Sequence, residues 1–156
     1  MQQLSGLDNS FLLIEEAGQI GHVASYSTFD ATKIEYGSFH AAVRATIEER
    51  LHLLPPYRRR LAEIPFELDR PYWIEDPDFD LDYHIRHIAV PPPGDVEQQA
   101  ALIARIHARP LDRSKPLWEV YVIEGLQDGQ VALYSKVHHA TIDGVSGSQM
   151  MEKLLD

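Results

Sequence analysis

The chain has 156 residues, 14 Lys and Arg against 24 Asp and Glu for a formal net charge of −10, 44% hydrophobic residues and no cysteine. A chain of this length buries about two-thirds of the surface its unfolded form exposes, enough for a core without staples, and the missing cysteines exclude a disulfide scaffold, a thiol nucleophile and a thiolate metal site. Net negative charge repels phosphate backbones, and the one basic cluster, Arg58-Arg59-Arg60, is too short for a nucleic-acid footprint, so nucleic acid is excluded as a partner.

At the N-terminus, Met1 to Ser10 lacks the positive region of a secretory signal, and the apolar burst Phe11-Leu12-Leu13-Ile14 stops at Glu15-Glu16. No run approaches the roughly 18 to 20 apolar residues needed to span a bilayer. These features predict a cytoplasmic chain with membrane contact limited to the periphery.

A strand is predicted over 21–29. Phe39, Ala42, Val43, Ile47 and Leu51 recur at helical spacing, with Ser38 as N-cap and Pro55-Pro56 as the stop. Strand-like pieces follow at 60–64, 72–75 and 83–90, before Pro91-Pro92-Pro93-Gly94 punctuates the chain. A second helix is predicted over 96–108, with an apolar face of Ala100, Leu102, Ile103 and Ile106 and with Pro110 blocking continuation. Two β-rich runs, 117–125 and 130–138, flank the hairpin signal Asp128-Gly129. Asp143-Gly144 predicts a turn, and 149–155 has helical composition with no stop device, which reads as the front part of a longer protein.

The segment Val137-His138-His139-Ala140-Thr141-Ile142-Asp143-Gly144 carries the clearest chemistry. Neighbouring side chains on a strand point to opposite faces, so one histidine lines a cavity while the other packs. His139 lies nearer the turn, where irregular backbone can project it toward a substrate. Asp143 suits a brace of that turn through backbone N–H groups or a distant cation, and Gly144 permits close backbone approach. A histidine with an unperturbed pKa of about 6.5 is mostly neutral at pH 7 and can take a hydroxyl proton as the oxygen attacks a carbonyl. The residues alone leave open that both histidines are packed strand-end residues. Zinc is disfavoured because adjacent strand histidines diverge and no third ligand sits at a recognised spacing. Gly144-Val145-Ser146-Gly147-Ser148 departs from a nucleophile elbow at its fifth position.

His138-His139-Ala140-Thr141-Ile142-Asp143-Gly144 resembles the HHxxxDG signature of the bacterial wax ester synthase/acyl-CoA:diacylglycerol acyltransferases, within the CoA-dependent acyltransferase superfamily. Leu4 to Phe11, Pro71-Tyr72-Trp73 through Tyr83-His84-Ile85-Arg86, and Pro110-Leu111-Asp112-Arg113-Ser114-Lys115-Pro116-Leu117-Trp118-Glu119 resemble further blocks of that family, so the likeness runs through nearly the whole chain. The resemblance implies an α/β (α+β) sandwich like chloramphenicol acetyltransferase, with a mixed sheet and flanking helices. Residues 1–156 would form the N-terminal lobe of a two-lobed enzyme whose C-terminal lobe is not in this chain.

It also implies an O-acyltransferase moving a fatty acyl group from acyl-CoA, as co-substrate and with no further cofactor or metal, to diacylglycerol or a long-chain alcohol. His139 would be the base, His138 its support and Asp143 the loop brace, while Gly144, Pro116, Leu117 and Trp118 would shape the substrate channel. Lys115 departs from the Arg usual in the family, which weakens a bidentate ion pair there. The expected partners are the second lobe, a second copy of the chain, and a membrane or lipid-droplet surface. Two other readings stand beside this one: a carrier-protein-dependent or condensation-type member of the superfamily, and a non-catalytic lipid-binding or pairing fragment.

Overall fold

A computed structural model describes residues 1–142 and residue 153. In chain order the elements are β1 (Gln2–Gln3), α1 (Gly6–Glu16), β2 (His22–Asp30), α2 (Ser38–Arg50), β3 (Arg59–Ala62), β4 (Tyr72–Glu75), α3 (Leu81–His84), β5 (Ile85–Ala89), α4 (Val96–Ala108), β6 (Trp118–Glu124) and β7 (Gln130–His138). Four strands form a mixed sheet in the order β2-β7-β6-β5, with β5 and β6 parallel and the other pairs antiparallel. A small antiparallel sheet has the order β1-β4-β3.

The mixed sheet is covered on both faces, as the α/β sandwich reading requires. Val43 and Ile47 of α2 pack with Trp118, Val120, Val122 and Leu133 on one face. Ile106 of α4, backed by Leu102 and Ile103, packs with Tyr121, Ile123, Ala132 and Tyr134 on the other. Alternate residues of β6 thus serve opposite layers, which is why this strand reads as a continuous buried run instead of an apolar–polar alternation. A third cluster, Leu4, Leu12, Leu61, Leu111, Leu117 and Ala140, ties α1 and the small sheet to the end of β7.

Helix α4 matches its expected span because both ends are written locally: Asp95 and Gln98 form a reciprocal capping box, and Pro110 follows the last turn. The hairpin signal is also met, since Asp128 and Gly129 both have positive φ (60° and 66°) in the tight turn before β7.

Four boundaries differ from expectation. Ser38 is the first residue of α2 and Gly37 (φ 81°) its N-cap, because Glu124 reaches across to accept the Gly37 N–H and replaces a local side-chain cap. Helix α2 stops at Arg50 and passes into 3-10 turns at Leu51–Leu53 and Pro55–Arg58, so the prolines open a turn instead of ending the helix. The strand expected from residue 83 begins at Ile85, because Asp80 caps a helical turn ahead of it. The strand expected over 60–64 spans Arg59–Ala62 and ends ahead of the turn at Pro65. The expected helix at 149–155 lies outside the described residues.

Candidate functional site

His138 is the last residue of β7 and His139 the first of a 3-10 turn, His139–Thr141. The backbone around them is pinned from three directions. The His138 N–H donates to the Leu117 carbonyl (3.0 Å), the His139 N–H to the Gly21 carbonyl (2.9 Å), and the Ile142 N–H to the His139 carbonyl (3.2 Å).

The two imidazoles have different surroundings. His138 is fully buried, its Nδ1 accepts the Ala140 N–H (3.0 Å), and its Nε2 faces Oε2 of Glu15 (3.0 Å). Only a neutral ring protonated on Nε2 satisfies both contacts. Burial holds its pKa below the usual histidine value, with the nearby Glu15 partly offsetting that effect. Both ring nitrogens are therefore committed. His139 is half-buried and its ring stacks on Phe11 (centroids 4.8 Å apart, planes 17° apart). Among the described residues no hydrogen bond engages its ring nitrogens.

Glu15 is itself held. The Arg113 guanidinium donates to its Oε2 (3.1 Å), to Glu16 (2.6 Å) and to the Leu12 carbonyl (2.7 Å). Phe11 and Glu15 are four residues apart on α1, hence on one helix face, and each addresses one histidine of the pair. Sequence reading gave α1 no element and missed Phe11, Glu15 and Arg113 as neighbours of the motif. A local signal for the helix was present: Ser5 and Asp8 stand at capping-box spacing, and the Ser5 hydroxyl accepts the Asp8 N–H (3.1 Å).

The other expected site residues fall as follows. Pro116, Leu117 and Trp118 are buried at the start of the strand beside the motif, where Trp118 pairs with Val137. The Trp118 indole N–H donates to the Tyr57 carbonyl (2.8 Å) and its ring stacks on His84 (4.4 Å). Leu117 touches the site through the carbonyl that receives the His138 N–H. Asp143 and Gly144 lie outside the described residues. Lys115 sits over the Tyr83 ring (5.6 Å).

In the basic cluster, Arg58 pairs with Glu75 (3.0 Å) and Arg60 with Asp76 (3.5 Å). Arg59 lines a cleft of about 120 Å³ with Gln2, Pro56, Trp73, Ala140 and Thr141, directly beneath the turn that carries His139. A larger cleft of about 440 Å³ lies between α1 and residues 63–71.

A family model described as the wax ester synthase/diacylglycerol acyltransferase catalytic domain matches residues 4–156. The chain belongs to this family. A putative diacylglycerol O-acyltransferase of Mycobacterium tuberculosis is 40% identical over 151 residues, covering 97% of this chain and 32% of the relative. A probable diacylglycerol O-acyltransferase of the same organism is 43% identical over 144 residues, covering 92% and 52%.

Among solved structures, the wax ester synthase/diacylglycerol acyltransferase of Marinobacter aquaeolei VT8 aligns with a TM-score of 0.78 at 34% identity, covering 96% of this chain and 37% of that one. The starter condensation domain of rhizomide synthetase aligns with a TM-score of 0.70 at 17% identity, covering 98% and 37%, a likeness of fold alone. These neighbours bear out the expected chloramphenicol acetyltransferase-like architecture. As a wax ester synthase/diacylglycerol acyltransferase family member, the chain spans about a third to a half of the length of these relatives.

Proposed function

We propose that this chain is the base-bearing lobe of an O-acyltransferase that moves a fatty acyl group from acyl-CoA to the hydroxyl of diacylglycerol or a long-chain alcohol. His139 accepts the hydroxyl proton as the oxygen attacks the thioester carbonyl. The tetrahedral intermediate collapses with loss of the CoA thiolate, which takes the proton back from His139 to leave as free thiol. Ester and CoA are the products, the imidazole is regenerated, and acyl-CoA enters as co-substrate with no cofactor or metal. Asp143 and Gly144 keep their roles as loop brace and channel residue, and Pro116, Leu117 and Trp118 support the channel.

The observation that supports this assignment of the base is the division between the two rings: His138 has both nitrogens engaged, whereas the half-exposed His139 ring has neither engaged among the described residues. No helix among the described residues is long and apolar enough to cross a membrane. Exposed Leu7, Leu13 and Ile14 on α1, with exposed Phe66 and Leu68 in the segment that lines the larger cleft opposite α1, support peripheral contact with a membrane or lipid inclusion. The remaining wall of the active site comes from a second lobe.

The test is release of CoA thiol by the full-length protein given palmitoyl-CoA and diacylglycerol or a fatty alcohol. His139→Ala is expected to lower turnover by roughly 10²- to 10⁴-fold, the usual worth of a general base. Undiminished turnover in that variant refutes the role of His139. Transfer from a phosphopantetheinyl carrier, with none from free acyl-CoA, refutes the substrate assignment.

A further inference from the structure

We propose that Glu15 is a positioning residue for acyl transfer: with Arg113 it locks His138 in the Nε2–H tautomer, and His138 in turn fixes the turn that presents His139. The inference rests on the reading of His139 as the base. It begins from hydrogen-bond parity. The other neutral tautomer of His138 would aim Nδ1–H at the Ala140 N–H and the Nε2 lone pair at the Glu15 carboxylate, two mismatched contacts at 3.0 Å. The carboxylate thus joins the Ala140 N–H in selecting the proton position, and it does so on a ring 123 residues away in sequence. With Nδ1 free of a proton, His138 caps the His139–Thr141 turn through Ala140.

A purely stabilising role fits poorly. Glu15 Oε1 is buried without a hydrogen-bond partner among the described residues. A buried carboxylate with an orphan oxygen is a costly way to hold a helix against a sheet, since apolar replacements of buried ion clusters are often neutral or stabilising. What an apolar side chain could not do is choose the tautomer. The packing is shaped around the contact: a Cβ on Gly21 would lie 2.5 Å from His138 Nε2 and 3.1 Å from Glu15 Cβ, so the start of β2 leaves room for this pair and for little else. Phe11, one turn earlier on α1, sets the plane of the His139 ring by stacking. One helix face thus sets the tautomer of the first histidine and the ring plane of the second.

The test compares wild type, Glu15→Ala, Glu15→Gln and Arg113→Lys in the full-length protein, with kcat and KM from thiol release and with ¹⁵N NMR of ¹⁵N-histidine-labelled protein. The His138 signal is assigned by its loss in His138→Asn. Glu15→Ala is expected to lower kcat by about 10- to 100-fold with KM within about twofold, the scale for a reacting group displaced by around an ångström, and to turn the His138 signal from one tautomer into a mixture.

Glu15→Gln, whose amide oxygen can still accept from Nε2–H, should keep a larger share of the Nε2–H tautomer and a higher kcat than Glu15→Ala. Arg113→Lys should fall between wild type and Glu15→Ala. Wild-type kcat in Glu15→Ala overturns the proposal, as does an unchanged His138 tautomer, or Glu15→Gln no better than Glu15→Ala. If Glu15→Ala does not fold, the tautomer and kcat of Glu15→Gln and Arg113→Lys decide, and wild-type values of both in Arg113→Lys overturn the part assigned to Arg113. Absence of thiol release by wild type would sink the acyl-transfer reading instead, while the NMR comparison still judges the Glu15–His138 lock.

Discussion

Replacing Gly21 by alanine should damage the site through a single methyl group. The added Cβ would stand 2.5 Å from His138 Nε2, and ordinary contact begins at 3.4 Å, so the ring must withdraw by about 0.9 Å. The ring has nowhere easy to go: it is fully buried, and its Nδ1 is held at 3.0 Å by the Ala140 N–H. Moving it lengthens the 3.0 Å contact with Glu15 beyond hydrogen-bonding range. Overpacking of a tight site costs about 1 to 3 kcal/mol, and a lost hydrogen bond to a charged group costs about 1.5 to 3 kcal/mol. The two overlap, because the same movement relieves one by incurring the other, so a total near 3 kcal/mol is expected. At about 2 to 4 °C per kcal/mol for a chain of this size, the melting temperature should fall by roughly 6 to 12 °C. Thermal unfolding followed by circular dichroism reads this directly. Gly18→Ala is the control: a Cβ there meets nothing within 4 Å, although φ is +92°, so only backbone strain of about 1 kcal/mol is expected. If Gly21→Ala melts within a degree or two of wild type, or no lower than Gly18→Ala, the tight approach of β2 to His138 is wrong.

Two further outcomes follow from buried groups. Trp118→Phe removes an indole N–H that donates to the Tyr57 carbonyl and leaves that buried acceptor unpaired, so about 1 to 3 kcal/mol should be lost in urea denaturation; a loss under about 0.5 kcal/mol would show that the bond is immaterial. His22 is buried, and desolvation above all, aided by the neighbouring Lys136, holds its pKa down to about 4 from 6.5. The unfolded chain binds this proton below pH 6.5 and the folded chain does not, so this contribution is complete above pH 6.5 and is lost as pH falls toward 4. At 1.36 kcal/mol per pKa unit its loss is worth roughly 3 kcal/mol. His84 and His138 are shifted in the same direction, also chiefly by burial. Urea midpoints at pH 7.5, 6 and 5 should therefore decline, and His22→Gln should flatten the decline; a profile identical in that variant would discount His22.

How much of this was legible beforehand depends on whether the cause is local. Helix α4 and strand β7 were readable because their ends are specified within a few residues, by the Asp95 capping box and by the Asp128-Gly129 turn. The N-cap of α2 is not legible locally, because its support is Glu124, 87 residues away, accepting the Gly37 N–H. The start of β5 is set by Asp80, which caps a helical turn at Leu81–His84 and overrules the β preference of Tyr83. The histidine pair was visible as a motif. Its neighbours were not, since Glu15 and Arg113 lie 98 positions apart and Glu15 and His138 lie 123 apart. Chemistry that depends on such pairs is written in the packing of α1 against the end of β7, and only a fold reveals it.

That packing also explains why two adjacent histidines are not interchangeable. Strand alternation alone would send His138 and His139 to opposite faces and leave their roles symmetric in principle. The symmetry is broken because the strand ends between them. His138 keeps strand geometry, receives a backbone N–H from the turn that follows, and is buried against a carboxylate that fixes its proton. His139 enters the turn, takes its only ring contact among the described residues from Phe11, and stays half-exposed. A base needs an available lone pair and a constant position, and here the constancy comes from groups that leave the His139 nitrogens free: the Phe11 ring stacked on it and the turn capped by His138. In the proposed reaction His138 therefore serves placement and His139 proton transfer. Exchanging either histidine for a non-ionisable residue should therefore give distinguishable failures: loss of the proton acceptor at 139, and loss of its placement at 138.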